Sequence, residues 1–327
     1  MIAEEEMVLT ITHNGYIKRT SLSTYRSQRR GGRGVQGASS REEDFVEHLF
    51  VANTHSYILF FTDKGKCYWV KVYDIPEGGR AAKGRAIVNL IGCEPDEKVS
   101  AFISVKEFNE DHYVVMATEK GMVKKTKLSA YSNPRKKGIY AVEIRDGDRL
   151  IEARVSTGDN DILLGTRNGK SIRFSEEQIR ASGRKTMGVK GITLSSEDDR
   201  LVGMLLIKRE GTVLVATEKG FGKRTEISQY RAQKRGGKGV LTMKTTDKVG
   251  KMVTIKEVVD KDDLMIITNQ GVLIRLPVAQ IRSIGRATQG VKLIKLGEGT
   301  LVSSITRIMS EEEEDENNNT ESTDPKE

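Results

Sequence analysis

Six copies of one short pattern, Thr-x-x-Gly, constrain this chain more than anything else in it. They run from Thr12 to Gly15, Thr62 to Gly65, Thr118 to Gly121, Thr166 to Gly169, Thr217 to Gly220 and Thr268 to Gly271. Successive glycines stand 50, 56, 48, 51 and 51 residues apart. Each copy separates two β-prone runs, so each reads as a hairpin turn with glycine at the left-handed position. Self-similarity at this period marks a repeat architecture, and it must be settled before any other feature is read.

The units share more than the turn. Ten residues after each turn glycine comes a large side chain: Tyr25, Ile75, Tyr131, Ile179, Tyr230 and Ile281. Nineteen residues after it, or seventeen in the third unit, comes a second glycine: Gly34, Gly84, Gly138, Gly188, Gly239 and Gly290. In the fifth unit residues 201–207, 212–217, 221–227 and 240–245 are predicted strands, which makes a four-stranded propeller blade. The expected fold is therefore all-β, with six four-stranded blades over residues 7–310.

The two ends bear on closure. Units two to six open with apolar runs near residues 45, 99, 150, 201 and 252, and the first unit has none. Residues 301–308 form one more opening run with no hairpin behind it. The expectation is that this last strand completes the first blade, closes the ring and removes two sheet edges. Residues 1–6 read as a linker remnant, and residues 311–327, with nine acids and one lysine, as a disordered acidic tail.

The net charge of +8 hides an asymmetry: residues 311–327 carry −8, and the rest carries +16. A basic body points to a polyanionic partner. Its densest point is Gln28-Arg29-Arg30-Gly31-Gly32-Arg33-Gly34, and a near copy follows at Gln233-Lys234-Arg235-Gly236-Gly237-Lys238-Gly239. Arginine presents a planar fork to phosphate, and glycine lets backbone approach it closely. The equivalent loops carry Arg80, Lys83 and Arg85; Arg135, Lys136 and Lys137; Arg184 and Lys185; and Arg282 and Arg286. Strands after the turns add Lys18, Arg19, Lys124, Lys125, Arg173, Lys223, Arg224 and Arg275. In equivalent blades these positions recur around one rim, a circular track of positive charge that suits bent duplex DNA. Bending ~40 bp through ~180° costs on the order of 10 kcal/mol. Ten phosphate contacts, with a log-log salt slope of about −9, would offset that cost with little base specificity. Aromatics make up only 6%, which disfavours single-stranded RNA stacked on rings.

Other chemistry is not indicated. Gly32 to Gly37 matches GxGxxG but opens no predicted helix, and no P-loop is present. The four histidines and the cysteines Cys67 and Cys93 lack metal-ligand spacing, so no metal or disulfide is expected. Tyr25 has isoleucine at its equivalents in units two, four and six, which makes it a packing residue rather than a nucleophile. The acidic amino terminus is no secretory signal, and no apolar run reaches membrane-spanning length.

Residues 28–34 resemble the seven-residue box of the A chain of DNA gyrase, and the six repeats over residues 7–308 resemble the carboxy-terminal domain of that protein. The resemblance implies a six-bladed β-pinwheel whose blades exchange strands and which wraps DNA with positive handedness. That wrap directs strand passage toward negative supercoiling. It implies that the catalytic tyrosine, ATP and magnesium belong to other parts of an A2B2 holoenzyme, with the N-terminal part of gyrase A and gyrase B as partners. This domain would itself be non-catalytic, monomeric when isolated, bacterial, cytoplasmic and nucleoid-associated, with no cofactor and no membrane. A second box copy departs from the family's single box, and residues 80–84 keep charge without the glycine pair. Two alternatives are the related domain of topoisomerase IV and a propeller that binds protein.

Overall fold

The computed structural model describes residues 2–21, 44–79, 82–208 and 211–308. The box at Gln28 to Gly34, Tyr25, Arg80 and the tail at 311–327 lie outside the described residues. Among the described residues there are six antiparallel sheets and a single short α-helix, Ile87–Ile91. None of the described helices is long and apolar enough to cross a membrane.

Each turn explains its own sequence. In the first, the Gly15 amide donates to the Thr12 carbonyl at 2.9 Å, and the Thr12 hydroxyl oxygen accepts from the Tyr16 amide at 3.1 Å. The threonine thus closes the turn from its side chain, while Gly15 holds φ at 79°. Thr62, Thr118, Thr166 and Thr268 accept from the equivalent amides.

A blade is not one sequence unit. The first sheet runs, in spatial order, Val46–Asn53, Glu6–Thr12, Tyr16–Ser21 and Arg85–Ala86. Its hairpin comes from the first unit, and both flanking strands come from the second. The same plan builds the next four blades. Each unit therefore keeps its hairpin and lends its opening strand and its short strand to the blade before it. This is the strand exchange that the resemblance implied, and it is where the four-strands-per-unit reading needs correction.

The closure expectation needs correction for the same reason. Val302–Ile308 pairs along Asp263–Thr268 and completes the sixth blade, not the first. It fills the place that every opening strand fills in the preceding blade. Its other side then lies against Val46–Asn53 of the first blade, so it does stand at the seam of the ring. The sixth sheet has three described strands, Leu273–Pro277 being the outermost.

The core lies between blades. Along Tyr57–Thr62, Ile58 and Phe60 face a cluster shared with the first blade, and Leu59 and Phe61 face one shared with the third. Further clusters join blades three and four, four and five, and five and six. Both faces of these strands are buried, which is why they read as unbroken apolar runs such as YILFFT and TVLVAT. Tyr131 and Tyr230 are fully buried in this packing, as expected for the large residue ten positions after the turn. Burying each such ring contributes about 1.5–3 kcal/mol.

Candidate nucleic-acid interface

The strand order fixes which surface is the rim. Opening strands line the axis, and the short strands after Gly84, Gly138, Gly188, Gly239 and Gly290 lie at the other edge of their sheets. The basic loops lead directly into these outermost strands. At Gly188 an added Cβ would stand 2.3 Å from the Val123 carbonyl oxygen, so the loop crosses the neighbouring blade in backbone contact. The second glycine is thus a crossing point, and it holds each loop at the outer edge.

Lys83, Arg85, Arg135, Lys136, Lys137, Lys185, Lys234, Lys238 and Arg282 are exposed on these loops. Lys83 sits over the Tyr16 ring, 4.2 Å from its centroid. Gly236 and Gly237 belong to the turn that presents the second box copy, and Gly236 has φ 81°. The Gly236 amide donates to the Gly191 carbonyl at 2.8 Å, and the Thr193 hydroxyl donates to the Gly236 carbonyl at 2.7 Å. The Gln233 amide donates to the Arg173 carbonyl at 2.8 Å.

Other sequence-derived cations do a different job. Lys18 donates to the carbonyls of Gly79 and Ala82, each at 2.9 Å. Lys124 donates to Ala141 and Arg184, and Lys223 to Gly285, Arg286 and Thr288. Lys124 and Lys223 are fully buried. Burial, helped by Arg184, pulls the Lys124 ammonium down to about 7. Burial and Arg286 bring Lys223 to about 8. One position further along, Arg19 and Arg224 donate to the carbonyls of Ile75 and Ile281 at 2.7 and 2.8 Å. Arg173 reaches the Tyr230 carbonyl at 3.1 Å and pairs with Asp161 at 2.7 Å. Lys125 sits 3.5 Å from the buried Glu176 carboxylate, and Arg275 pairs with Asp263 at 2.6 Å.

Most of these side chains are struts between blades, tying a post-turn strand to the loop of the next unit. Arg184, Arg235 and Arg286 return the favour from the loops, donating to the Tyr140, Lys190 and Leu241 carbonyls. Sequence reasoning grouped them all with the rim charges. A signal was present: the position three after the turn glycine reads Lys18, Tyr68, Lys124, Ile172, Lys223 and Ile274. A lysine that alternates with tyrosine and isoleucine occupies an inward-facing position. The strut lysines consequently hold the loops of units two, four and six. The loops of units three and five meet Tyr68 and Ile172 instead.

The family model described as "DNA gyrase C-terminal domain, beta-propeller" matches residues 6–53, 56–106, 112–157, 160–208, 211–258 and 262–308. The chain belongs to this family. It is 47% identical over 315 residues, 95% of its length, to the gyrase A protein of Staphylococcus epidermidis (strain ATCC 12228 / FDA PCI 1200). It is 46% identical over 326 residues, 99% of its length, to the gyrase A protein of Staphylococcus aureus (strain NCTC 8325 / PS 47). It spans 35% and 37% of those two relatives. A crystal structure of the C-terminal domain of DNA topoisomerase IV superposes with TM-score 0.84 at 27% identity, covering 95% of both chains. The six matched stretches each begin with a hairpin and end with the next opening strand, so the family's repeat follows the observed blade more closely than the unit read from the sequence.

Proposed function

We propose that this domain binds, bends and wraps duplex DNA around its outer rim without sequence preference, and so directs DNA gyrase toward negative supercoiling. The observation that carries the reading is the recurrence of exposed Lys and Arg beside the outermost strand of five successive blades. Charges at equal steps around a disc suit a bent polyanion better than a straight one. A protein-binding propeller would have no use for cations in every loop. Gyrase is favoured over topoisomerase IV because the identity to gyrase A proteins is 46–47% against 27% for the topoisomerase IV domain.

In this reading the domain itself is non-catalytic and needs no cofactor. The cleaving tyrosine, ATP and magnesium belong to the rest of an A2B2 enzyme acting on the nucleoid in the bacterial cytoplasm. Arg29, Arg30 and Arg33, with their copies Lys234, Arg235 and Lys238, capture the DNA path, and the acidic residues 311–316 compete with it.

The test is plasmid relaxation by a type I topoisomerase in the presence of the domain, which should leave a shifted linking number. A variant with alanine at all six box cations should keep a gel shift and lose the linking change. No shift with the parent domain, or a full shift with the variant, defeats the reading.

A further inference from the structure

The innermost strands of all six blades converge on an axial cavity of about 490 Å³. Its wall includes His48 of the first blade, Arg154 of the third, Lys208 of the fourth, Lys256 of the fifth, and Thr306 and Arg307 of the sixth. Four cations, Arg154, Lys208, Lys256 and Arg307, stand with two carboxylates, Glu152 and Glu257, and a third, Glu47, lies near enough to act on both His48 and Lys256. Register sorts them into layers. Arg154 lies opposite Val115, Lys256 opposite Leu214 and Thr306 opposite Met265, each three residues before a turn threonine. These three therefore share one level of the channel.

Most of the charges are already engaged. Arg154 pairs with Glu152 at 3.3 Å, Arg307 donates to Asp262 at 3.1 Å, and Lys208 donates to the Val155 carbonyl at 2.9 Å. The Lys256 ammonium makes no hydrogen bond or ion pair to the described residues. Burial draws its ammonium below the usual lysine range, Glu152 and Glu47 resist that, and Arg154 and Arg307 add to it. The cavity's field is registered by His48, held at about 4 by burial, while Glu47 opposes and Lys256, Arg154 and Arg307 disfavour its protonation. Lys256 is thus a half-buried cation whose counter-charges, Glu152 and Glu47, act on it without direct contact, and an anion beside its ammonium would offset the cost of its desolvation.

We propose that the axial cavity is a binding site for a small phosphate-class oxyanion, with the Lys256 ammonium and the Arg154 guanidinium as its donors, the Thr306 hydroxyl being held by the Glu47 carboxylate. The two groups come from two blades, so the bound anion ties the third and fifth blades together at the hub. The site is separate from the rim and does not depend on the wrapping reading.

The experiment is calorimetric titration of the full chain with inorganic phosphate, at ionic strength held constant with sodium chloride. Thermal unfolding and an NMR titration of His48 run alongside. One saturable site is expected, with a raised unfolding temperature and a higher His48 titration midpoint as the anion offsets the neighbouring cations. Lys256→Met should weaken binding about tenfold or more and leave the His48 midpoint unmoved by phosphate. If Lys256→Met folds poorly, crystals of the parent protein soaked in selenate should show an anomalous peak within hydrogen-bond reach of Lys256 Nζ. Unsaturable stabilisation shared by the variant, or an empty cavity in the soaked crystal, overturns the proposal.

Discussion

The ammonium of Lys124 lies 2.5 Å from the carbonyl oxygen of Arg184, sixty residues further along the chain. The first residue stands on a post-turn strand of the third blade, and the second on the rim loop of the fourth unit. The bond therefore couples the position of a basic rim loop to the packing of the blade before it. Lys18 and Lys223 make the same kind of bond two blades away on either side. Rim geometry in this domain is set from inside the disc.

Replacing Lys124 by methionine should destabilise the domain without touching the exposed charge. It keeps most of the length of the side chain and leaves the carbonyls of Ala141 and Arg184 without their donor. The expected loss is about 1–3 kcal/mol, read as a lower midpoint in urea unfolding. An unchanged midpoint would mean that water replaces the strut at no cost.

The cost of that substitution should also grow with pH. Lys124 titrates at about 7 in the folded protein, below the ordinary lysine value of 10.5. Between those values the unfolded chain holds the proton that the folded chain has released, so stability rises with pH across the window. Lys124→Met removes this contribution. The difference in stability between parent and variant should be larger at pH 9 than at pH 7, measured at fixed ionic strength.

Charges within the second box copy should separate into two classes. Lys234 and Lys238 are exposed, whereas Arg235 donates to the carbonyls of Gln178 and Lys190. Alanine at Lys234 and Lys238 should leave the melting temperature unchanged and reduce the DNA salt slope by about 0.9 for each lost phosphate contact. Alanine at Arg235 should lower the melting temperature as well. Equal thermal effects from all three would contradict the division.

Removing residues 302–308 should damage the sixth blade. The deletion uncovers the inner edge of Asp263–Thr268 and takes away the buried side chains of Val302 and Ile305. Aggregation or a melting temperature lowered by many degrees is expected, from the open edge and the lost core. A truncated chain that melts like its parent would refute the pairing.

Gly188→Ala should be as harmful as a core substitution, though the site is at the surface. Its φ is 79°, and the new Cβ would meet the Val123 carbonyl at 2.3 Å and the Lys124 Cβ at 2.9 Å. Strain at such a residue costs about 1–3 kcal/mol before the clash is counted. Chemical denaturation of the variant checks this directly.

The chain by itself determined the turns, the number of blades and the basic loops. Thr-x-x-Gly encodes a local hydrogen-bond pattern, and a second glycine at a near-constant offset encodes a backbone crossing. Both repeat because local geometry needs no distant partner to be specified. Family membership was legible for the same reason, through the box at residues 28–34 and its copy at 233–239. Tertiary structure alone decided which strands share a sheet. Residues 201–207 have the same apolar pattern whether they pair with residues 212–217 ahead or 161–166 behind, and only assembly selects the latter. That choice moved the last strand from the first blade to the sixth. It also decided the fate of the cations, because a lysine reads alike in the sequence whether it stays exposed outside or meets a carbonyl inside. Lys124 and Lys234 differ in burial, not in chemistry, and burial belongs to the packed ring.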